Sequence, residues 1–572
     1  MNNGKPGQFT VTLPSGHTAK WVEWQLDGAA WKRVDAAGQT SVTIDTGLRS
    51  IARVSGDHTL NVRTANDSGS SDPVTVRFTG DGTSGSGPKA DITLDAPDES
   101  VKQPAHQDGP ILISSVTQDP AASRSAEGRE KCHKDGDATY CVKTKRRTDL
   151  VAKIDPNKPQ LGRALRAATY DQRFDGPVDQ IGVVGTFTRT EACVAPEEVT
   201  LSTLDTDGIW SKSVFLVRAA VQLDAKSRKM TQSVKIEKTS FDGAVSAVEF
   251  EVFPYCVGPQ LGCWQDKKFS WDGPTLWTSA VQPTPDDHSI TGTMPMEWVS
   301  QFTGEDTKDS LNSEQLEMSW SYTAKVVTVD KSHTFEEEDT GLAPLKARCD
   351  SVYATPGCVF PDYRPGYVFN SRKYPEAAAH AWLYQNKLPG HWGAFDHPLK
   401  FLPDKVPNGK AGDRNEYGRD PDKNRQVICG SNSGWDPHPD AAKGLVEGKT
   451  DKINCDEMAF ASTYQSGGMP ANMKGTNPVG SGAECLQTYA TRLGANGGGA
   501  WKFYSDERKH VPTWNEECGR SAISGWMNSG SAAALPGFNS KYRILDQDEF
   551  WVQVPGFESC DPSRDTVKCS MS

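Results

Sequence analysis

Polar and apolar residues alternate with a period of two through most of the chain up to about residue 340. Phe9-Thr10-Val11-Thr12-Leu13, Val22-Glu23-Trp24-Gln25-Leu26 and Leu60-Asn61-Val62-Arg63-Thr64 are such runs, broken by the turn formers Asp27-Gly28 and Ser55-Gly56. Successive side chains on a strand point to opposite faces, so this pattern predicts a small antiparallel β-sandwich over residues 1–80. The Gly/Ser-rich stretch from Gly80 to Pro88 opens a flexible linker over residues 81–110. Alternation returns over residues 111–344. Two long runs between Val214 and Thr239 flank Asp224-Ala225-Lys226-Ser227 and read as a hairpin, with further strands at 248–253 and 323–329. A second β-rich, sandwich-like domain is expected there. From residue 345 the pattern changes. Stretches read as helical, 374–385 and 484–492, stand among strands and long Gly/Asn-rich loops, which predicts an α+β domain over residues 345–572.

At 572 residues the chain has room for about three to four domains. No run of about 18 apolar residues occurs, so no membrane-spanning helix is expected. The start, Met1-Asn2-Asn3-Gly4-Lys5-Pro6, is polar and lacks the apolar stretch of a signal peptide. The 13 cysteines point the other way. None forms a CxxC pair with a second one nearby, which argues against a zinc ribbon. Cys349 with Cys358, and Cys560 with Cys569, are spaced as local disulfides, the mark of an oxidising compartment. We therefore expect a secreted or cell-surface protein whose signal lies upstream of the recorded start.

The formal net charge is −12, from 62 Lys and Arg against 74 Asp and Glu. After residue 344 there are 26 of each, so the whole acidic excess lies in the preceding part. A neutral C-terminal domain argues against tight, charge-driven nucleic-acid binding, though not against brief binding at a local patch. In the middle region Trp210, Trp264, Trp271, Trp277, Trp298 and Trp320 would line a glycan-binding face or, more commonly for large aromatics, be buried.

The chemistry concentrates late in the chain. Asn454-Cys455-Asp456-Glu457-Met458-Ala459-Phe460-Ala461-Ser462-Thr463 places two adjacent carboxylates ahead of small and apolar residues. Acidic residues there suit the first turn of a partly buried helix, and an Asp-Glu pair is a natural grip for a divalent metal. Such a pair is also the ordinary solvated start of a helix. Upstream, Glu376 and His380 follow Pro375 with a spacing of four, which puts both on one helical face. Together these residues supply what phosphodiester hydrolysis needs: a metal to stabilise charge on phosphate, a base for water and an acid for the leaving oxygen.

The segment from Cys455 to Thr463 resembles the signature of the NucA/NucB family of secreted deoxyribonucleases. Other blocks follow in the family's order: Arg348-Cys349-Asp350 with Gly357-Cys358-Val359-Phe360, then Arg372-Lys373-Tyr374-Pro375-Glu376-Ala377-Ala378-Ala379-His380, Asn424-Arg425 with Cys429, and finally Arg543-Ile544-Leu545-Asp546 with Phe550-Trp551-Val552-Gln553-Val554. The resemblance covers about residues 345–556. It implies a nuclease domain acting on DNA with little sequence preference. On this reading Asp456 and Glu457 bind the metal, His380 is the general base or a ligand, Glu376 orients His380, and Cys455 is disulfide-bonded. Hard oxygen ligands with one His favour Mg²⁺ or Mn²⁺. Glu23-Trp24-Gln25-Leu26-Asp27-Gly28 and Gly56-Asp57-His58-Thr59-Leu60 likewise resemble immunoglobulin-like modules of bacterial surface proteins.

Two positions depart from the family pattern. Met458-Ala459-Phe460 stands where members often have Tyr-Pro-Phe, a packing change. Gly519-Arg520 stands where members carry Asn-Arg, with Asn515 and Asn528 nearby as other registers. Arg520 is a candidate phosphate clamp, or else a surface partner of Glu516 or Glu517. Asp506, Glu507 and His510 read mainly as loop residues. The expected architecture is thus an Ig-like sandwich, a β-rich middle domain with possible cell-wall or glycan ligands, and a C-terminal metal-dependent nuclease, with an immunity protein as partner if it is a toxin. The alternative is a decayed nuclease domain in a modular surface or carbohydrate-binding protein.

Overall fold

A computed structural model describes, with short interruptions, residues 8–80, 91–94, 129–147, 184–299, 313–403, 421–492, 501–558 and 560–568. The described residues are strand-rich, as the alternation predicts. Gln8–Thr12 pairs with Ser41–Asp45, and Trp21–Leu26 lies between Lys32–Asp35 and Gly56–Asn66 in a five-stranded antiparallel sheet. Val22, Trp24, Val42, Ile44 and Leu60 from both sheets share one core.

The middle region is a sandwich of a ten-stranded and a six-stranded sheet around one continuous core. Trp210–Leu223 and Lys229–Ser240 form the expected hairpin, with Leu223 opposite Met230. Trp277, Trp298 and Trp320 are core residues, whereas Trp210 and Trp264 are exposed, so these tryptophans do not form one face.

The boundary expected at residue 345 falls inside this sandwich. Leu342–Asp350 pairs with Ser313–Val327, and Gly357–Val359 extends the same sheet. The Cys349–Cys358 disulfide joins directly opposed residues of these two strands. This block closes the middle sandwich rather than opening the next unit. The linker also differs from expectation: β1 (Asp91–Leu94) is a strand of the C-terminal sheet.

That sheet holds, besides β1, strands β2 (Ile453–Met458), β3 (Leu486–Arg492), β4 (Trp501–Ser505), β5 (Gly519–Ser524) and β6 (Thr566–Lys568), in the order β2-β5-β3-β4-β1-β6. Two expected helices are therefore strands. In β2, pairing with β5 overrides the dipole preference of an Asp-Glu start. β3 is central and buried on both faces, so its polar-apolar alternation is erased and the period misleads.

The expected helix at 374–385 forms as α1 (Pro375–Lys387), with proline in its first turn. Its alanine-rich surface is buried almost all round, against β5, β2 and β4. α2 (Pro421–Cys429) covers the other side of β2, tied to it by the Cys429–Cys455 disulfide. α3 (Gly525–Ala532) and α4 (Leu535–Tyr542) follow β5. Glu549–Gln553 is the expected closing strand. Among the described cysteines, Cys132–Cys141, Cys256–Cys263 and Cys485–Cys518 are also bonded, while Cys569 lies outside the described residues.

Buried charge docks the two large units. The Arg189 guanidinium, from the loop before Glu191–Val194, donates to the carbonyls of Tyr542, Pro361 and Tyr363 and pairs with Asp548. Arg348 grips both oxygens of the same carboxylate, at 2.7 and 2.9 Å. Arg543 reaches back to Asp350 and to the Ala225 carbonyl. Burial alone would raise the Asp548 carboxyl, but Arg189 and Arg348 outweigh it and hold it below the usual range.

Candidate active site

Strand β2 is an edge strand, and its two carboxylates leave it in opposite directions because neighbours on a strand face opposite ways. Asp456 points to the α1 side. Its Oδ2 lies 2.9 Å from Nδ1 of His380, and the carboxylate keeps partial exposure, with 13% of the side chain accessible. Among the described residues, His380 is the one side chain bonded to it. Glu457 points to the α2 side. It lies 3.5 Å from an Arg425 guanidinium nitrogen, and burial pushes its carboxyl up to about 7 against the opposing pull of Arg425. The expected joint grip of one metal by Asp456 and Glu457 is not the arrangement found.

His380 is 1% exposed, and its buried Nε2 has no hydrogen-bond partner among the described residues. It faces Gly519, where a Cβ would stand 2.9 Å from Nε2. The glycine that departs from the family pattern is thus the residue His380 requires. Asn528 of α3, an alternative register, donates its amide to the Cys455 carbonyl on β2 at 3.2 Å. Asn515 is exposed and, among the described residues, bonds within its own loop.

Glu376 shares the sheet-facing side of α1 with His380, as its spacing predicts, but does not orient it. Its Oε2 accepts the Ser524 backbone N–H at 2.6 Å, and Asp456 takes the His380 contact instead. Burial drives the Glu376 carboxyl well above the usual range, and the Ser524 bond only partly offsets this. Glu376 is a buried brace between α1 and the end of β5.

Arg520 is 1% exposed and is neither a phosphate clamp open to solvent nor a surface ion pair. Its guanidinium donates to the carbonyls of Ile428, Ser433 and Gly434, and burial lowers its pKa to about 10. It stands opposite Glu457 in the ladder, with Gln487 on its other side. Gln487 in turn bonds Asp506, which is buried and also held by Arg508. These residues form a polar row that pins the 428–438 loop to the sheet.

The cation the sequence reading left without a role is Arg425. Its side chain is 42% exposed, lies beside Glu457 and donates to the Cys455 carbonyl at 3.0 Å. The signal was present in the Asn424-Arg425 block, but only the fold of α2 against β2 assigns it a place. Asn424 is buried and donates to the Ala461 carbonyl, holding the end of the signature segment.

The one cluster of three potential metal ligands among the described residues is Glu130, Cys132 and Cys141, whose cysteines are joined in a disulfide. Among the described residues, three protein ligands do not converge on Asp456. A single partly exposed carboxylate is a hard oxygen donor of the kind that holds Mg²⁺ with water completing the shell. The chain matches no protein-family model, and no curated protein matches it.

Proposed function

We propose that this chain is a secreted, metal-dependent endonuclease that hydrolyses DNA phosphodiester bonds with little sequence preference, its centre on edge strand β2. The observation that supports this reading most is the 2.9 Å bond between His380 Nδ1 and the partly exposed Asp456 carboxylate, with Arg425 and Glu457 across the same strand. Asp456 fixes the imidazole and offers its remaining oxygen for a divalent ion. Mg²⁺ or Mn²⁺ held there would supply a Lewis acid for the phosphate. Arg425 presents a guanidinium suited to a phosphate oxygen pair. Glu457, buried on the opposite face of β2 from Asp456, acts through Arg425, which it holds beside the strand. The amino-terminal sandwich serves as an Ig-like spacer and the middle sandwich as a rigid platform.

A second reading, a domain that has lost catalysis, rests on His380: its Nε2 is closed off beneath Gly519 rather than presented to solvent. Plasmid cleavage by the full, disulfide-bonded chain separates the two. With Mg²⁺ or Mn²⁺ the first reading expects nicking that EDTA abolishes and that Asp456→Asn reduces at least about 100-fold. A folded chain that cuts under neither metal, or an Asp456→Asn variant that cuts normally, refutes it.

A further inference from the structure

A cavity of about 560 Å³ opens beside the candidate centre, lined by Lys373, Tyr374, Lys452, Asn454 and Trp526, with Gly530 at its wall. Asn454 lies two residues before Asp456 on β2, so the cavity and the Asp456 carboxylate share one side of the strand. Its walls are aromatic and basic. The Tyr374 and Trp526 rings have centroids 5.5 Å apart, inclined at 54°. Lys373 Nζ stands 5.6 Å from the Tyr374 ring and 5.9 Å from the Trp526 ring, and Lys449 Nζ is 5.7 Å from Trp526. Gly530 permits this layout, since a Cβ there would meet the Tyr374 ring at 2.3 Å.

The acidic group of the cavity is already committed. Asp451 accepts from the backbone N–H groups of Val446, Lys452 and Trp526 and from the Ser524 hydroxyl. Burial opposes its charge, but these bonds hold its carboxyl below the usual range. It caps the start of α3 and leaves the lysines as the groups that face an incoming ligand.

An aromatic pair that receives a flat ring once the Lys373 ammonium over it turns to a phosphate, beside a second lysine, supplies the two components of a single-stranded nucleic-acid site. We propose that this cleft holds an unpaired stretch of the DNA substrate, one base against Trp526 and Tyr374 and the flanking phosphates on Lys373 and Lys452, with the next phosphodiester led toward Asp456. The inference rests on the nuclease reading for the identity of the substrate. It also accounts for binding by a unit with no net charge, because the basic groups are gathered in one place.

The test is fluorescence anisotropy of the full chain in EDTA, where cleavage is blocked, with a labelled single-stranded oligodeoxynucleotide. Three probes are compared: that oligomer, its duplex, and an abasic oligomer of equal length. The single strand is expected to bind most tightly, and the abasic oligomer about tenfold more weakly, because stacking is lost. Lys373→Ala with Lys452→Ala is expected to weaken the single strand about tenfold and to reduce the slope of log K against log salt by about 1.4, two phosphate contacts on a single strand. Lys452 is exposed and Lys373 partly buried, and an unchanged melting temperature confirms that the double variant is folded. Unchanged affinity and salt slope in that variant overturn the proposal, as does equal binding of the abasic oligomer or preference for the duplex. If the chain binds as expected yet never cuts with metal, the cleft stands and the catalytic reading falls. If it cuts normally while the double variant binds as wild type, the cleft falls alone.

Discussion

Gly519 lies directly against His380: a methyl group at position 519 would come within 2.9 Å of the imidazole Nε2. Position 519 is paired with Met458 on β2, so the backbone cannot retreat without breaking the ladder that carries Asp456. Gly519→Ala is expected to cost about 1–3 kcal/mol through overpacking. Gly519→Asn should displace His380 from Asp456 altogether. Urea unfolding measures the first, and loss of the shared His380–Asp456 proton in NMR measures the second. A Gly519→Asn variant of wild-type stability would show that His380 has room the packing denies.

The Arg189–Asp548 pair predicts that the C-terminal unit does not stand alone. A fragment of residues 345–572 would lack Arg189, the Ala225 carbonyl that Arg543 uses, and the strand partners of Leu342–Asp350. It is expected to be unfolded or aggregated by circular dichroism, where the full chain is folded. Arg189→Ala in the full chain leaves three buried carbonyls without this donor while Arg348 still pairs the Asp548 carboxylate, at an expected cost of about 1–3 kcal/mol in urea unfolding.

The same network fixes the acid limit of stability. Asp548 is held below the usual carboxylate range in the folded chain. Its contribution is fully present above the unfolded value of about 3.9 and is lost as pH falls through the lower folded value. Unfolding free energy should therefore drop steeply below about pH 4. Asp548→Asn should flatten that drop while lowering stability at neutral pH.

Glu457 has the opposite sign. Its folded carboxyl is raised to about 7, so the folded chain binds the extra proton over the range from the unfolded value up to that point. Stability from this group is greatest below about pH 4.3 and declines as pH rises toward and through 7, by roughly 4 kcal/mol at most. In metal-free buffer, Glu457→Gln should remove that decline and be more stable than wild type at pH 8. Thermal melts from pH 5 to 8 measure the slope, and an unchanged slope refutes the assignment.

The Cys429–Cys455 disulfide closes a loop with a sequence separation of 26 and anchors α2, with Arg425, to β2. Replacing both cysteines by serine should lower stability by about 3 kcal/mol. If Arg425 contacts substrate phosphate, cleavage should fall further than the melting temperature alone explains, and a rise in KM exceeding the fall in kcat is the expected signature.

The sequence by itself determined what depends on neighbours a few residues away. Period-two runs such as 214–239 place strands because each strand has one face in a core, and Pro375 with the alanines behind it places α1. The nine-residue spacing of Cys349 and Cys358 specifies a disulfide because a short hairpin brings them opposite. Glu376 and His380 share a face because four residues make about one helical turn.

The tertiary structure decided everything that depends on distant pairing. Whether Asp456-Glu457 begins a helix or lies in a strand is undetermined over so short a run. Pairing with β5 settles it and sends the two carboxylates to opposite faces. β3 lost its alternation because both its faces are covered, and Arg520 became a buried brace because α2 and its following loop close over it. Arg189 and Asp548 are 359 residues apart, and no local property of either announces the other. Propensity and spacing act over one or two turns of chain. Which carboxylate meets which base is fixed by packing between elements that only the folded chain brings together.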